Sequence, residues 1–253
     1  MTKEKIFRNI ASKTSGKDCS HLPGCCPDQY VGLIKDFKEE DKKTKELKVK
    51  KDFPFREDIF TPDTSACVNI SDAENILILI LESPHTDEFY AEDVKDENGT
   101  VIHHKDDPIG PANGPTGRNI REHILDILGN GYKSYHLILM NAIPFQCSLG
   151  FSLSKKEKEN LKRRDEVFSA IWDNDDIGKV FFKKRFQNLL KELKNKRVII
   201  VNACTAGYKK EKVQMVIDAE FGIIQLAHPS VNWNSKTKTE REKVESAGLY
   251  IEK

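Results

Sequence analysis

The sequence contains no apolar run long enough to cross a membrane, and its first twenty residues lack the apolar core of a signal peptide. We therefore expect a soluble protein with no membrane partner, located in the cytoplasm or on the nucleoid. The six cysteines are scattered over 253 residues, which excludes a small disulfide-stapled scaffold and favours a reducing compartment.

The sequence also lacks a large net charge of either sign. Charged residues make up 32% of the chain, but the formal balance is only +1. This excludes a globally basic protein, although a nucleic-acid-binding protein can still concentrate its positive charge on one face. The length is sufficient for a sizeable core, in one large domain or two small ones.

Metal-binding patterns are weak. The one cysteine cluster contains Cys19, His21, Cys25 and Cys26 among turn residues. Its spacing is not that of a zinc ribbon, because no second cysteine pair follows. A plain turn with free thiols is therefore favoured over a metal site. For residues 103–107 (HHKDD) a solvated loop is favoured in the same way.

Four apolar segments predict strands, at residues 76–81, 135–140, 197–201 and 222–226. The first (ILILIL) has no polar alternation, which is typical of a strand buried on both faces of a parallel sheet. Helical patterns separate or follow these strands at about residues 118–128, 154–172, 179–194 and 235–247. The predicted fold is α/β, a three-layer α/β/α sandwich with a four-stranded, mostly parallel central sheet.

The chain divides at about residue 70. Residues 1–70 are expected to form an N-terminal extension, partly helical and peripheral, and residues 71–253 a catalytic domain. Within the second part, residues 86–115 are polar and rich in glycine. A structureless segment of this length predicts a functional loop or a mobile lid.

Polar residues follow each predicted strand: Glu82 and His85, Asn141, Asn202, and His228 with Ser230. Because the carboxyl ends of parallel strands meet at one edge of a sheet, we expect an acid, an amide and an imidazole to gather there. Residues 114–117 (GPTG) begin a helix that Thr116 can cap, and the free backbone N–H groups of such a helix start can bind a phosphate.

These motifs resemble those of the uracil-DNA glycosylase superfamily. Residues 81–84 (LESP) resemble the family's Gly-Glu-Ala-Pro turn, with Glu82 at the acidic position, and residues 228–230 (HPS) match its last motif. Residues 114–120 resemble the helix start of the iron–sulfur branch, residues 137–142 the strand whose final Asn reads the base, and residues 198–206 the strand and helix start before the last motif. The resemblance covers about residues 72–235, in the family's order.

The resemblance implies roles for individual residues. In catalysis, Glu82 positions water and stabilises the cationic sugar, His228 donates to the departing base, and Asn141 hydrogen-bonds the pyrimidine edge. The base pocket would contain Ser83, Pro84 and His85, with Phe89, Tyr90 or Phe145 stacking on the flipped base. The DNA-binding residues would be Thr116, Gly117, Arg118, Ser230 and Lys236 at phosphates, with Asn232 and Trp233 as the wedge in the vacated stack.

Departures from the family pattern affect the expected substrate. Ser83 replaces the common Asp, and His85 stands where uracil enzymes place the Tyr or Gly that borders the C5 edge of the base. Cys147 lacks the next cysteine of the iron–sulfur branch, so we expect no cluster and no other cofactor. The expected protein is a monomeric, metal-independent DNA glycosylase that removes uracil or a C5-modified pyrimidine, in repair or against viral DNA. The alternatives are a catalytically weak base-sensing module of the same fold and a metal-dependent nuclease.

Overall fold

A computed structural model describes residues 1–45, 47–49, 59–60, 73–110, 112–149, 158–205, 207–217 and 223–249. The helices in this part of the chain are α1 (Lys3–Ser15), α2 (Pro115–Leu128), α3 (Lys158–Trp172), α4 (Lys179–Glu192), α5 (Tyr208–Gln214) and α6 (Pro229–Ser246). The strands are β1 (Asp28–Leu33), β2 (Lys38–Glu40), β3 (Leu47–Val49), β4 (Ile59–Phe60), β5 (Asn75–Leu81), β6 (Val94–Lys95), β7 (Val101–His103), β8 (His136–Asn141), β9 (Arg197–Asn202) and β10 (Ile223–Gln225).

The central sheet has the strand order β10-β9-β5-β8-β1-β4. The four predicted strands are present as β5, β8, β9 and β10, and they pair in parallel. The predicted number of strands was too small, because β1 and β4 extend the sheet with an antiparallel edge next to β8. The pairing aligns Leu81 with Asn141 and Ile80 with Asn202, so the polar residues that follow these strands lie at one edge.

Helices cover both faces of the sheet. Ile76, Ile78 and Ile80 of β5 pack into one hydrophobic layer, which includes residues of α1, α3 and α4. Leu77, Leu79 and Leu81 pack into the other, which includes residues of α2 and α6. Burial on both faces explains why β5 is a continuous run of Ile and Leu. The three-layer α/β/α sandwich predicted from the sequence is confirmed.

Parts of the first seventy residues belong to this core. Phe7 and Ala11 of α1 are fully buried in the layer with α3 and α4, and β1 pairs with β8 in the central sheet. The segment is thus partly helical, as predicted. Contrary to the prediction, α1 and β1 are not peripheral. The apolar face of α1 and the buried strand β1 explain why they join the core.

The segment after β5 is not structureless. Strands β6 and β7 form a hairpin, and Asp96 closes its turn by accepting the backbone N–H groups of Asn98 and Thr100. The Tyr90 ring stacks on His103 at a centroid distance of 4.6 Å. Side-chain hydrogen bonds to the turn backbone supply the order that apolar residues do not provide here.

Several helix bounds differ from the predicted ones. Helix α2 begins at Pro115 with Gly114 as N-cap, because proline is favoured in the first turn, and Thr116 is therefore not the cap. Helix α6 begins at Pro229, directly after the last polar motif. The helix start that the resemblance implies after β9 is present as α5, although the apolar pattern alone did not indicate this helix. The predicted start of α3 at residue 154 lies outside the described residues. In the described part of the chain, no helix is long and apolar enough to cross a membrane.

Candidate functional site

A pocket of about 290 Å³ opens at the carboxyl ends of the parallel strands. This is where open α/β sheets bind ligands. Among the predicted site residues that line this pocket, four lie directly after β5 and one lies directly before α6. The lining comprises Leu81, Glu82, Ser83, Pro84, His85, Asp87, Glu88, Gly114, Pro115, Thr116, Ser148, Leu161, Arg164, Thr205, His228 and Ser230. The sheet edge therefore brings the predicted acid and imidazole into one pocket.

Glu82 is buried and held by an ion pair. Its Oε1 lies 2.6 Å from Nζ of Lys209 on α5, and its Oε2 accepts a hydrogen bond from the hydroxyl of Thr205. Burial alone would raise the pKa of Glu82, but the charges of Lys209 and Arg164 and these hydrogen bonds lower it below the ordinary value. Glu82 is therefore an ionised carboxylate at neutral pH.

His228 is held as a neutral imidazole at the N-cap of α6. Its Nδ1 accepts the backbone N–H of Ser230 at 3.3 Å and lies 2.8 Å from the Ser230 hydroxyl. The proton of the neutral ring therefore lies on Nε2. Burial lowers the pKa of His228 to about 4. The ring can donate one hydrogen bond at neutral pH without carrying a charge.

The loop before His228 is fixed from several sides. The backbone N–H of Ala227 donates to Glu240 at 2.6 Å, and its carbonyl accepts from the indole of Trp233 at 2.8 Å. Asn119 on α2 donates to the carbonyl of Pro229 at 2.8 Å. The Asn119 bond ties α2 to α6, which fixes the start of α2 relative to the imidazole of His228.

Asn141 ends β8 with a buried side chain whose amide oxygen and nitrogen have no hydrogen-bond partner among the described residues. A buried amide without a partner in the protein is uncommon, which makes the side chain of Asn141 a candidate to hydrogen-bond a ligand. Asn141 does not line the pocket in this structure, although β8 pairs with β5 next to it. The backbone carbonyl oxygen of Asn141 accepts a hydrogen bond from Arg185 at 2.6 Å.

Asn202, also expected at this edge, has a structural role. Its side-chain nitrogen donates to the carbonyl of Lys210 at 3.1 Å and to Gln214 at 3.2 Å, and its oxygen accepts the backbone N–H of Cys204. It anchors α5 to β9.

The pocket wall that follows Pro84 is polar. His85 and Asp87 are partly exposed, and their side chains lie 3.9 Å apart. Glu88 is buried, and burial raises its pKa to about 8 although the backbone N–H groups of His85 and Ala112 donate to it. Glu88 is thus a largely neutral carboxylic acid at pH 7, which can both donate and accept a hydrogen bond.

Four aromatic side chains do not occupy the predicted positions. Phe145 is fully buried and stacks on Phe7 at 5.0 Å in the core. Trp233 is buried against Ala227, so it is not an exposed wedge. Phe89 and Tyr90 belong to the hairpin segment and do not line the pocket. Packing against apolar neighbours explains these placements, which the sequence order alone does not reveal.

The predicted DNA-binding residues divide into two groups. Thr116 and Ser230 line the pocket, whereas Arg118 and Lys236 are exposed outside it and Gly117 is buried in the first turn of α2. The side chain of Asn232 lies outside the described residues. Gly114, Pro115 and Thr116, at the start of α2, line the pocket, and the start of a helix is a suitable place for an anion.

Sequence reasoning missed several residues of the site. Lys209 lies on α5, Arg164 and Leu161 on α3, and Thr205 and Ser148 in loops. The hydroxyl of Ser148 is buried without a partner among the described residues. The sequence Thr-Ala-Gly after β9 and the nearby Lys209 indicate a basic helix start at this edge of the sheet, but they do not indicate the contact of Lys209 with Glu82.

The cysteine cluster shows no arrangement suited to a metal. Within the described residues, no group of three or more His, Cys, Asp and Glu side chains is placed to hold a metal ion. Cys19 and Cys26 are buried, whereas His21 is exposed. Burial raises the pKa of Cys25 to about 12, so its thiol stays protonated.

Comparison of the chain with protein-family profiles, with curated proteins and with solved structures gives no significant match.

Proposed function

We propose that the protein is a DNA glycosylase that hydrolyses the N-glycosidic bond of uracil or of a C5-modified pyrimidine. The observation that carries this proposal is the pairing, in one pocket, of a carboxylate held ionised with an imidazole held neutral. Glycosidic cleavage needs both, because positive charge develops on the sugar while negative charge develops on the base.

The reaction divides between these two groups. When the bond between C1′ and the base breaks, its electron pair leaves with the base. The Glu82 carboxylate stabilises the cationic sugar, and Nε2–H of His228 donates to the base oxygen on which charge accumulates. Water then adds to C1′ and loses a proton to the solvent, and the anionic base takes up a proton from the solvent, so the products are an abasic site and the free base. A preorganised donor of this kind lowers such a barrier by about 3 kcal/mol.

Access to the bond requires that the nucleotide leave the helix stack. Thr116, Ser230 and the first turn of α2 lie on the rim of the pocket and can hold the flanking phosphates. The unpartnered amide of Asn141 offers a donor and an acceptor, which complement the edge of a pyrimidine. Asn141 lies outside the pocket lining, so the base must extend beyond the present pocket to make this contact.

The pocket wall favours a base with a polar substituent. His85, Asp87 and Glu88 line this wall, and by the resemblance His85 stands where uracil enzymes have Tyr or Gly. Polar side chains there can hydrogen-bond a group at C5, whereas the C5–H edge of uracil offers no partner. Both uracil and modified pyrimidines are proposed substrates, and the polar wall favours the modified bases.

A base-release assay tests the function. DNAs that contain uracil, a thymine mismatch, hydroxymethylcytosine or glucosylated hydroxymethylcytosine are incubated with the protein in EDTA, and free bases are measured by mass spectrometry. We expect one base to be released from an otherwise intact strand. Binding without release would instead favour a base-sensing module, and strand cleavage that EDTA abolishes would favour a metal-dependent nuclease. Glu159→Gln is the matched control, because Glu159 lies on the surface of α3, where it forms an ion pair with Arg163.

A further inference from the structure

Lys209 is a buried lysine with two carboxylate partners. Its Nζ lies 2.6 Å from Glu82 and 2.6 Å from Asp165 on α3, and its side chain is only 3% exposed. The ammonium also lies 5.1 Å from the centre of the Phe168 ring. One ammonium group thus contacts two carboxylates and lies near an aromatic face, which restricts its position.

This arrangement is asymmetric. Glu82 is buried in the pocket, whereas the Asp165 side chain is 43% exposed. Asp165 therefore cannot draw Lys209 away strongly, because its charge is screened by solvent, but it can hold the ammonium in place. The hydroxyl of Tyr208 donates to the Asp165 carbonyl at 2.7 Å and ties the start of α5 to α3.

The amine is not available as a nucleophile. Burial would lower the pKa of Lys209, but Glu82 and Asp165 raise it above the ordinary value. An ammonium has no lone pair, so Lys209 cannot form an imine with the aldehyde of an abasic site. Its chemical effect is instead exerted on Glu82, whose other oxygen is fixed by Thr205.

We propose that Lys209 is a positioning residue for the proposed reaction, which fixes the Glu82 carboxylate in its ionised form and in one orientation toward the pocket, while Asp165 holds Lys209. This inference rests on the proposed function for its catalytic meaning. Its effect on Glu82 is a property of the folded protein and can be measured without any substrate.

Other groups near Glu82 must be considered in any pH dependence. Those that face it are Arg164 and Asp165 on α3, Lys209 and Tyr208 on α5, His228 before α6, and the thiols of Cys147 and Cys204. His228 is neutral above about pH 4, and burial raises the pKa of both thiols, so they stay protonated. Lys209 and Arg164 are thus the cations that keep Glu82 charged, and Lys209 alone among them contacts its carboxylate.

The test replaces Lys209 by Met, which has a similar length and no charge, and follows the Glu82 carboxyl by ¹³C NMR of glutamate-labelled protein, with Glu82→Gln for assignment. We expect the titration midpoint of Glu82 to rise by more than about one pH unit. Base release should then fall by a larger factor at pH 5 than at pH 8, because more of Glu82 is protonated at the lower pH. An unchanged midpoint, or an equal loss of rate at every pH, would overturn the proposal.

Two further variants keep the test decisive if Lys209→Met does not fold. Lys209→Arg keeps the charge, so the Glu82 midpoint should stay near that of the wild type while kcat falls because the donor is displaced. Asp165→Asn removes the half-exposed partner and should lower kcat several-fold without changing KM or the midpoint; unchanged kcat would overturn the role of Asp165. If the wild type releases no base from any DNA, the proposed function fails, and the NMR titration still decides whether Lys209 controls Glu82.

Discussion

Two buried ion pairs lie at the same edge of the sheet and behave differently. Arg185 on α4 lies 2.5 Å from Asp28 at the start of β1, and Lys209 lies 2.6 Å from Glu82. Burial raises the pKa of Asp28 despite Arg185, whereas the pKa of Glu82 is lowered. The difference follows from the number of partners, since Glu82 is also near Arg164 and accepts a hydrogen bond from Thr205.

The surroundings of the two pairs also differ. Arg185 donates to the carbonyls of Asn141 and Ala142, and it stands near the rings of Phe181 and Phe182. That pair is closed off in the core and connects β1, β8 and α4. The Glu82 pair borders the pocket. A buried ion pair is thus a structural feature in one place and part of a site in the other, and access to a pocket distinguishes the two.

Replacing Arg185 by Met should have the largest effect, and it should fall on stability. Asp28 would be left buried without its cation, and two carbonyls would lose a donor, so unfolding should become easier by about 3–5 kcal/mol. Urea unfolding at pH 7 measures the change. Lys184→Met, at an exposed position of the same helix, is the control and should change little. A loss under about 1 kcal/mol for Arg185→Met would show that the pair is not structural.

Replacing Glu82 by Gln should affect activity instead. Lys209 keeps Asp165 as a partner, so the fold should persist, while base release should fall about 10²–10³-fold because the sugar cation loses its counter-charge. Single-turnover release on the best DNA substrate, with circular dichroism as a check on folding, measures both effects. Wild-type rates in a folded Glu82→Gln protein would remove this mechanism.

These contrasts explain how far the sequence alone leads. The run of Ile and Leu in β5 requires burial on both faces, so the parallel sheet and the place of Glu82 could be predicted. The partners of Glu82 come from residues 123 and 127 positions away in the chain, and no local pattern reports such contacts. Phe145 and Trp233 were misplaced for the same reason, because an aromatic near a motif can face the core as well as the ligand.

Glu88 provides a third carboxyl for the comparison, without a cation among the groups that shift its pKa. Its pKa is about 8 in the folded protein against a model-compound value of 4.5. Between these two pH values the folded protein keeps a proton that the unfolded chain has lost, so the free energy of unfolding should fall as pH rises through this window. Glu88→Gln should remove that decline, and the difference should reach about 2–4 kcal/mol above pH 8.

Urea unfolding of wild type and Glu88→Gln between pH 5 and 9 measures this difference. Glu82→Gln is the contrasting variant, because the lowered pKa of Glu82 makes its contribution fall only as the solution becomes more acidic than the ordinary carboxyl value. Parallel stability curves for wild type and Glu88→Gln across the window would show that Glu88 is ionised in the folded protein.

The smallest effect is expected on the surface, where charge acts without burial. Lys236 is exposed on α6 at a point where the backbone departs from helical geometry, with φ −130° and ψ 21°. Lys236→Ala should weaken DNA binding by a similar factor for every sequence and reduce the slope of log K against log salt by about 1, because one phosphate contact is lost. Lys184→Ala is the matched control on α4, which packs on the opposite face of the sheet. If DNA crosses the pocket edge near α6, the two variants must differ, whereas equal slopes for both would place the DNA away from α6.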